Sequence, residues 1–180
     1  MKFITTADDF GYDSDTVAAT AECLLQGALT SATIMPKMPA TEEAVEFALK
    51  HPQYSFGVHL TFVCDTVEAP VSPPERVSAL LRSDGRFLPS QTVRKMALLG
   101  RLPVDQIKIE AAAQIDLLLA KGVRVSHVDS HEHLHKFELF RRALVDVMRE
   151  RGLRRVRSVQ DIYLKRALMS PTYWMGLWWR

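Results

Sequence analysis

Short runs of β-branched and apolar residues alternate along this chain with longer segments in which apolar residues recur every three or four positions. The short runs are typical of strands and the longer segments of amphipathic helices. The predicted strands are residues 2–7, 32–35, 55–60 and 123–128, with 156–159 as a candidate fifth. The predicted helices are residues 14–26, 41 to about 50, 105–121 and 137–151.

This alternation of strands and helices predicts an α/β fold with a mostly parallel sheet. Helix boundaries support it, because Gly27, Gly122 and Gly152 follow three of the helices and Pro103 precedes one of these three, residues 105–121. Residues 64–90 are rich in proline and polar groups, which predicts a long loop outside the core. The sequence contains neither an internal repeat nor a linker, so we expect one domain over residues 1–180.

The composition is that of a globular protein, with 180 residues, 47% of them hydrophobic and 24% charged. A net charge of +2 does not indicate a nucleic-acid partner. The apolar stretches are too short for a membrane span, and the first residues do not form a signal peptide. Cys23 and Cys64 cannot form a disulfide framework. We therefore expect a cytoplasmic protein without a membrane span.

Polar clusters stand at the ends of three predicted strands. Asp8 and Asp9 follow the first strand, His59 ends the third, and residues 127–135 follow the fourth. Because the carboxyl ends of parallel strands lie on one side of a sheet, these clusters are expected to converge. One carboxylate and two imidazoles would form a divalent-metal site with positions open for water and substrate.

Each cluster alone has a simpler interpretation. Asp8 and Asp9 could begin a turn with Gly11 and cap the next helix. A single histidine such as His59 is most often an ordinary hydrogen-bonded residue. The coincidence of the clusters, with four of the six histidines inside residues 127–135, favours the metal site. Asp8 and Asp9 would then have different roles, because adjacent strand residues point to opposite faces.

Residues 131–135 also match the H-E-x-x-H pattern of zinc peptidases, in which a helix presents two histidines and a glutamate acts as the base. The β-branched run just before this segment argues against such a helix, and the longer metzincin pattern is absent. A metallopeptidase or a metal-dependent phosphoesterase stays as an alternative. If residues 127–135 are extended, their odd positions place imidazoles and a carboxylate on one face.

Two further features receive structural interpretations. Five arginines between residues 149 and 157 are interpreted as a solvated helix end or a contact to an anionic substrate: Arg149, Arg151, Arg154, Arg155 and Arg157. The aromatic residues at 173–179 are interpreted as an element that packs against a partner surface or forms a dimer.

Together, these segments resemble the YdjC-like carbohydrate deacetylase family, which includes chitooligosaccharide deacetylases of the ChbG type. The resemblance lies in residues 6–11, 27–33, 57–60 and 126–135. It implies a deformed (β/α) barrel with a divalent ion, Mg²⁺ or Zn²⁺, bound by Asp9, His59 and His131. It also implies Asp8 as the general base, N-acetylated amino sugars as substrates and a homodimer.

The reaction implied is metal-assisted hydrolysis of an acetamide, in which Asp8 accepts a proton from the attacking water. His133 or His135 is the candidate donor of a proton to the leaving amine, and Asp129 is a candidate partner of a ligating imidazole. The family's late His-Pro-Gly motif does not occur in this sequence. We therefore expect the C-terminal part of the family domain to be lacking, with a non-catalytic metal- or sugar-binding relative as the alternative.

Overall fold

The α/β class predicted from the sequence is confirmed by a computed structural model, which describes residues 3–158. Its four strands are β1 (Thr6–Phe10), β2 (Ser31–Ile34), β3 (Ser55–Leu60) and β4 (Val125–Ser130). They form one parallel sheet in the order β1-β2-β3-β4. Parallel neighbours require crossover connections, so the carboxyl ends of all four strands lie at one edge.

Five α-helices accompany the sheet. They are α1 (Ser14–Leu25), α2 (Thr41–Lys50), α3 (Ser90–Leu98), α4 (Val104–Ala120) and α5 (Glu138–Glu150). Helix α3 is absent from the sequence prediction, because it is short and buries only Val93 and Ala97. Within residues 3–158, no helix has the length and apolar character that crossing a membrane requires.

Local hydrogen bonds explain where α1 and α2 begin. The side chain of Asp13 accepts a hydrogen bond from the backbone N of Thr16 at 2.7 Å, which caps α1. Thr41 is the first residue of α2. Its hydroxyl accepts from the backbone N of Met38 at 2.7 Å and donates to the carbonyl of Met35 at 2.8 Å. This hydroxyl therefore closes the loop between β2 and α2.

Strands β1 and β4 lie further along the chain than the sequence predicts. β1 covers Thr6–Phe10 instead of residues 2–7, and β4 covers Val125–Ser130 instead of 123–128. The apolar runs end before the strands do, because polar residues near the carboxyl edge interrupt them, Asp8 and Asp9 in β1 and Asp129 and Ser130 in β4. The candidate fifth strand is reduced to one parallel bridge between Val128 and Val156. Residue 159 and the aromatic residues at 173–179 lie outside the described part of the chain.

The two faces of the sheet differ in chemistry. In β3, Phe56, Val58 and Leu60 are buried in the hydrophobic core, together with apolar residues of the helices. The alternate residues, Gly57 and His59, lie on the opposite face, as the period of two requires. The paired strands extend this second face with polar groups that are also buried, Thr33 of β2 and Asp129 of β4.

The segment from residue 64 to residue 90 is part of the core, contrary to the sequence prediction. Val77, Leu80 and Phe87 are buried in it. The segment is anchored to α4 by Glu110, which is fully buried and accepts from the backbone N of Val71 at 2.8 Å and of Ser72 at 3.0 Å. A buried carboxylate with these two N–H donors fixes the loop against the helix.

We expect Glu110→Gln to lower the free energy of unfolding by about 1–3 kcal/mol, because a glutamine amide offers one acceptor oxygen where the carboxylate offers two. Urea denaturation measures the change, and amide exchange of residues 71 and 72 should accelerate. The control is Glu75→Gln, at an exposed position of the same segment, with an expected change within about 0.5 kcal/mol. Equal stabilities of the two variants would contradict the anchoring role of Glu110.

Candidate metal centre

Three side chains from distant parts of the chain meet at the carboxyl edge of the sheet. Oδ1 of Asp9 lies 3.1 Å from Nε2 of His59 and 2.9 Å from Nδ1 of His131. The His59 side chain is only 2% exposed, whereas that of Asp9 is 39% exposed. The cluster is therefore buried against the sheet at His59 and accessible to solvent at Asp9.

The backbone of β1 is irregular where it presents Asp9. The register with β2 shifts between Ala7 and Phe10, and Asp9 has a left-handed φ of 56°. Such a conformation costs a residue other than glycine roughly 1 kcal/mol, and the backbone N of Tyr12 stabilises it by donating to the carbonyl of Asp9 at 3.0 Å. Gly11 (φ 100°) completes the turn where a Cβ would lie 3.2 Å from Cα of Thr41.

Hydrogen bonding orients the ring of His59. Its Nδ1 lies 3.0 Å from Oγ1 of Thr33, and that hydroxyl donates toward the carbonyl of Ala7 at 3.5 Å. Since the Thr33 hydroxyl proton points to Ala7, the Thr33 oxygen can accept a hydrogen bond from Nδ1–H of His59. Nε2 then faces the Asp9 carboxylate, and either a proton on Nε2 or a metal ion in its place has to lie between these two atoms.

The donor set fits a divalent metal ion. Each of Asp9, His59 and His131 offers one ligand atom, and these atoms lie within 4.8 Å of one another. Separations of 2.9 and 3.1 Å resemble those between neighbouring ligands bonded to one ion at ~2.1 Å. Burial disfavours the charged form of Asp9, but hydrogen bonds from His131 and His59 hold the pKa of Asp9 well below its ordinary value.

Asp8 and Asp129 are joined by Arg157, for which the sequence predicts a solvated helix end or a contact to an anionic substrate. Nη1 of Arg157 donates to Oδ2 of Asp129 at 2.8 Å and also to Oδ1 of Asp8. Asp129 is fully buried, and its Oδ2 lies 3.8 Å from Nδ1 of His59. Burial opposes its ionisation, but the hydrogen bond from Arg157 keeps the pKa of Asp129 below its ordinary value. Arg157 therefore belongs to the site.

The segment His131–Lys136 forms an irregular turn with 3₁₀ character. Glu132 (φ 56°) and His133 (φ 54°) are left-handed, so the extended part of residues 127–135 ends at Ser130 and the one-face arrangement expected of extended residues does not reach His133 and His135. Nη2 of Arg94, in α3, pairs with the Glu132 carboxylate and donates to the Glu132 carbonyl at 3.0 Å. The H-E-x-x-H peptidase geometry is therefore absent, because the helix is missing and the glutamate is engaged elsewhere.

The other three histidines of residues 127–135 have different surroundings. Nδ1 of His135 lies 2.7 Å from Oγ of Ser130. The His133 ring contacts the His135 ring edge to face, with 6.3 Å between the centroids. His127 packs over Gly57, where a Cβ would lie 2.7 Å from the imidazole. His127 is therefore outside the converging set, and the missing side chain of Gly57 is what makes room for it.

A wall beside the cluster comes from the segment of residues 64–90. The hydroxyl of Tyr12, in the turn after β1, lies 2.8 Å from Oγ1 of Thr66. The buried Glu68 holds this part of the segment by accepting from the backbone N of Asp65 at 3.1 Å and of Thr66 at 2.8 Å. Asp65 thereby comes near His131 and Glu132, with which it forms a further group able to hold an ion.

Sequence reasoning missed Thr33, Arg94 and Arg157 as contributors to this site. Thr33 lies in the segment 27–33 that supports the family resemblance, so a signal for it was present. Arg94 and Arg157 carry no such signal, because their roles depend on contacts with residues far away in the chain.

A family model described as YdjC-like protein matches residues 2–178 of this chain. Among curated proteins, a carbohydrate deacetylase of Brevibacillus brevis is 37% identical over 135 residues, which cover 75% of this chain and 50% of the relative. A carbohydrate deacetylase of Halalkalibacterium halodurans is 29% identical over 178 residues, covering 99% of this chain and 69% of the relative.

Among solved structures, this chain is similar to an Enterococcus faecalis protein described as a candidate cellobiose-phosphate cleavage protein. The TM-score is 0.77 with 28% sequence identity, and the match covers 88% of this chain and 59% of the other. The matched region therefore spans about half the length of several curated relatives, such as the Brevibacillus protein at 50%.

We expect His135 to destabilise the protein in acid. Burial lowers its pKa to about 4, from an ordinary value of 6.5. Below pH 6.5 the unfolded chain binds a proton that the folded protein does not, so stability falls as the pH drops from 6.5 toward 4. A shift of this size corresponds to at most about 3 kcal/mol.

His135→Asn, whose amide can replace Nδ1 beside Ser130, removes this contribution. Urea unfolding of the metal-free protein at pH 7 and pH 4.5 measures it. The loss of unfolding free energy between the two pH values should be about 1–3 kcal/mol smaller in the variant than in the wild type. Equal losses in both proteins would show that His135 does not titrate as expected.

Proposed function

Since this chain belongs to the YdjC-like family, we propose that it acts in a metal-dependent carbohydrate deacetylase that hydrolyses the acetamide of N-acetylated amino sugars. The observation that carries the proposal is the meeting of Asp9, His59 and His131 beside Asp8 at the carboxyl edge of the sheet. Relatives named carbohydrate deacetylase support the choice of substrate. The Asp9 side of the cluster is open, which allows a substrate to approach.

Asp9, His59 and His131 would hold the ion. A divalent ion at this position supplies Lewis acidity toward the acetamide carbonyl and the attacking water. Two imidazoles and one carboxylate suit Zn²⁺, Fe²⁺, Co²⁺ or Mn²⁺, whereas Mg²⁺ prefers oxygen ligands. Of the two ions expected from the sequence, the nitrogen-rich ligand set therefore favours Zn²⁺.

Asp8 is the proposed general base, which takes the proton of the attacking water. Its carboxylate is held by Nη1 of Arg157 through one oxygen, Oδ1. This contact fixes the direction of the carboxylate and leaves the second oxygen to face the attacking water.

His133 is the proposed donor of a proton to the leaving amine. Its Nδ1 is buried and lacks a hydrogen-bond partner among residues 3–158. Nε2 of His135 is likewise without a partner there, but His135 is buried and its Nδ1 is engaged with Ser130. We favour His133 because it is the more exposed of the two residues. A homodimer and a cytoplasmic location, both expected from the sequence, stay predictions.

The two aspartates should separate metal binding from catalysis. Asp8→Asn should retain the ion but release acetate from N-acetylglucosamine oligomers at least about 100-fold more slowly, the usual effect of losing a general base. Asp9→Asn should lose both the ion and the activity. Elemental analysis after dialysis measures the ion.

Asp15→Asn, at an exposed acidic position of α1, is the control and should behave as wild type. A wild-type chain that binds the ion but releases no acetate would identify a non-catalytic relative and contradict the proposed activity.

Thr33→Val should weaken metal binding about 10- to 100-fold, the usual effect of losing the hydrogen-bond partner of a ligating histidine. The valine cannot accept from Nδ1 of His59, so the ring loses its fixed orientation. A Zn²⁺ competition titration measures the affinity. Thr20→Val, at a buried position of α1, is the matched control, and equal affinities of the two variants would exclude the orienting role of Thr33.

A further inference from the structure

A second group of potential ligands lies next to the first. Asp8, His59 and Asp129 each offer one ligand atom, and these atoms lie within 4.8 Å of one another. His59 belongs to both groups, with Nε2 toward Asp9 and Nδ1 toward Asp129. Since Nδ1 is engaged with Thr33, the carboxylates of Asp8 and Asp129 are the ligands that stay available for a second ion of the kind that two-metal hydrolytic sites contain.

The guanidinium of Arg157 already neutralises this second group. A single nitrogen, Nη1, donates to both Asp8 and Asp129. The guanidinium keeps its charge at every pH that the protein meets, so it cannot give up this place by losing a proton. Asp129 is fully buried, and a buried carboxylate without a cation beside it would be strongly destabilising.

The backbone fixes this placement of the arginine. The backbone N of Val128 donates to the carbonyl of Arg155 at 2.9 Å, and the backbone N of Arg157 donates to the carbonyl of Val128 at 2.9 Å. Residues 155–157 thus run parallel to β4 at its outer edge. This pairing positions Arg157 beside Asp129, the residue that follows Val128.

We propose that Arg157 is a positioning residue that excludes a second metal ion. Its guanidinium takes the place of a cation between Asp8 and Asp129, so the centre holds one ion and Asp8 stays available as a base. The proposal rests on the proposed function, because it assumes that Asp9, His59 and His131 hold the first ion. A guanidinium with a merely structural role would not set the number of bound ions.

The test counts ions with Co²⁺ as the probe, using the full 180-residue chain. Wild type should bind one Co²⁺ per chain, and Arg157→Ala should bind two. Arg157→Lys, which keeps the positive charge, is the matched control and should bind one. Adding Asp129→Asn to Arg157→Ala should return the count to one, which would assign the second ion to this group.

Arg157→Gln is a second variant, in case Arg157→Ala does not fold. The glutamine keeps an N–H donor but removes the charge, so this variant should also bind two ions. One Co²⁺ in folded Arg157→Ala or Arg157→Gln, or two in wild type, would overturn the proposal. Failure of the proposed function looks different, because the wild type would then bind no ion, or would bind one ion without releasing acetate.

Discussion

The Asp9 carboxylate connects three separate parts of the chain. It belongs to β1, and it contacts His59 at the end of β3 and His131 just after β4. Nδ1 of His59 lies 3.0 Å from the hydroxyl of Thr33, so Nε2 is the ring nitrogen that faces the carboxylate. A proton on the ring or a metal ion has to lie between these atoms, so the geometry of the sheet edge provides a place for a cation.

The backbone conformations that build this edge are costly. Asp9, Glu132 and His133 are all left-handed residues with a side chain, and strained residues of this kind concentrate at functional sites. Other parts of the structure hold them in place. Arg94 from α3 donates to the Glu132 carbonyl, and the backbone of Tyr12 donates to Asp9. These contacts explain why helix α3 and the turn after β1 matter to the site.

The sequence patterns predicted correctly those elements whose boundaries are set by nearby residues. Strand β3 and helices α1, α4 and α5 were predicted within about two residues, because apolar spacing and terminal glycines define them. The ends of β1 and β4 were misplaced, because their polar residues face the site and interrupt the apolar pattern. Arg157 was misinterpreted, because its partner Asp8 lies 149 positions away and only the parallel register brings the two together.

Anomalous diffraction from crystals grown with Zn²⁺, recorded at the zinc edge, tests the central claim most directly. The account predicts one strong peak per chain at ~2.1 Å from a carboxylate oxygen of Asp9, Nε2 of His59 and Nδ1 of His131. A peak centred on other residues, or none near these three atoms at full zinc loading, would contradict it.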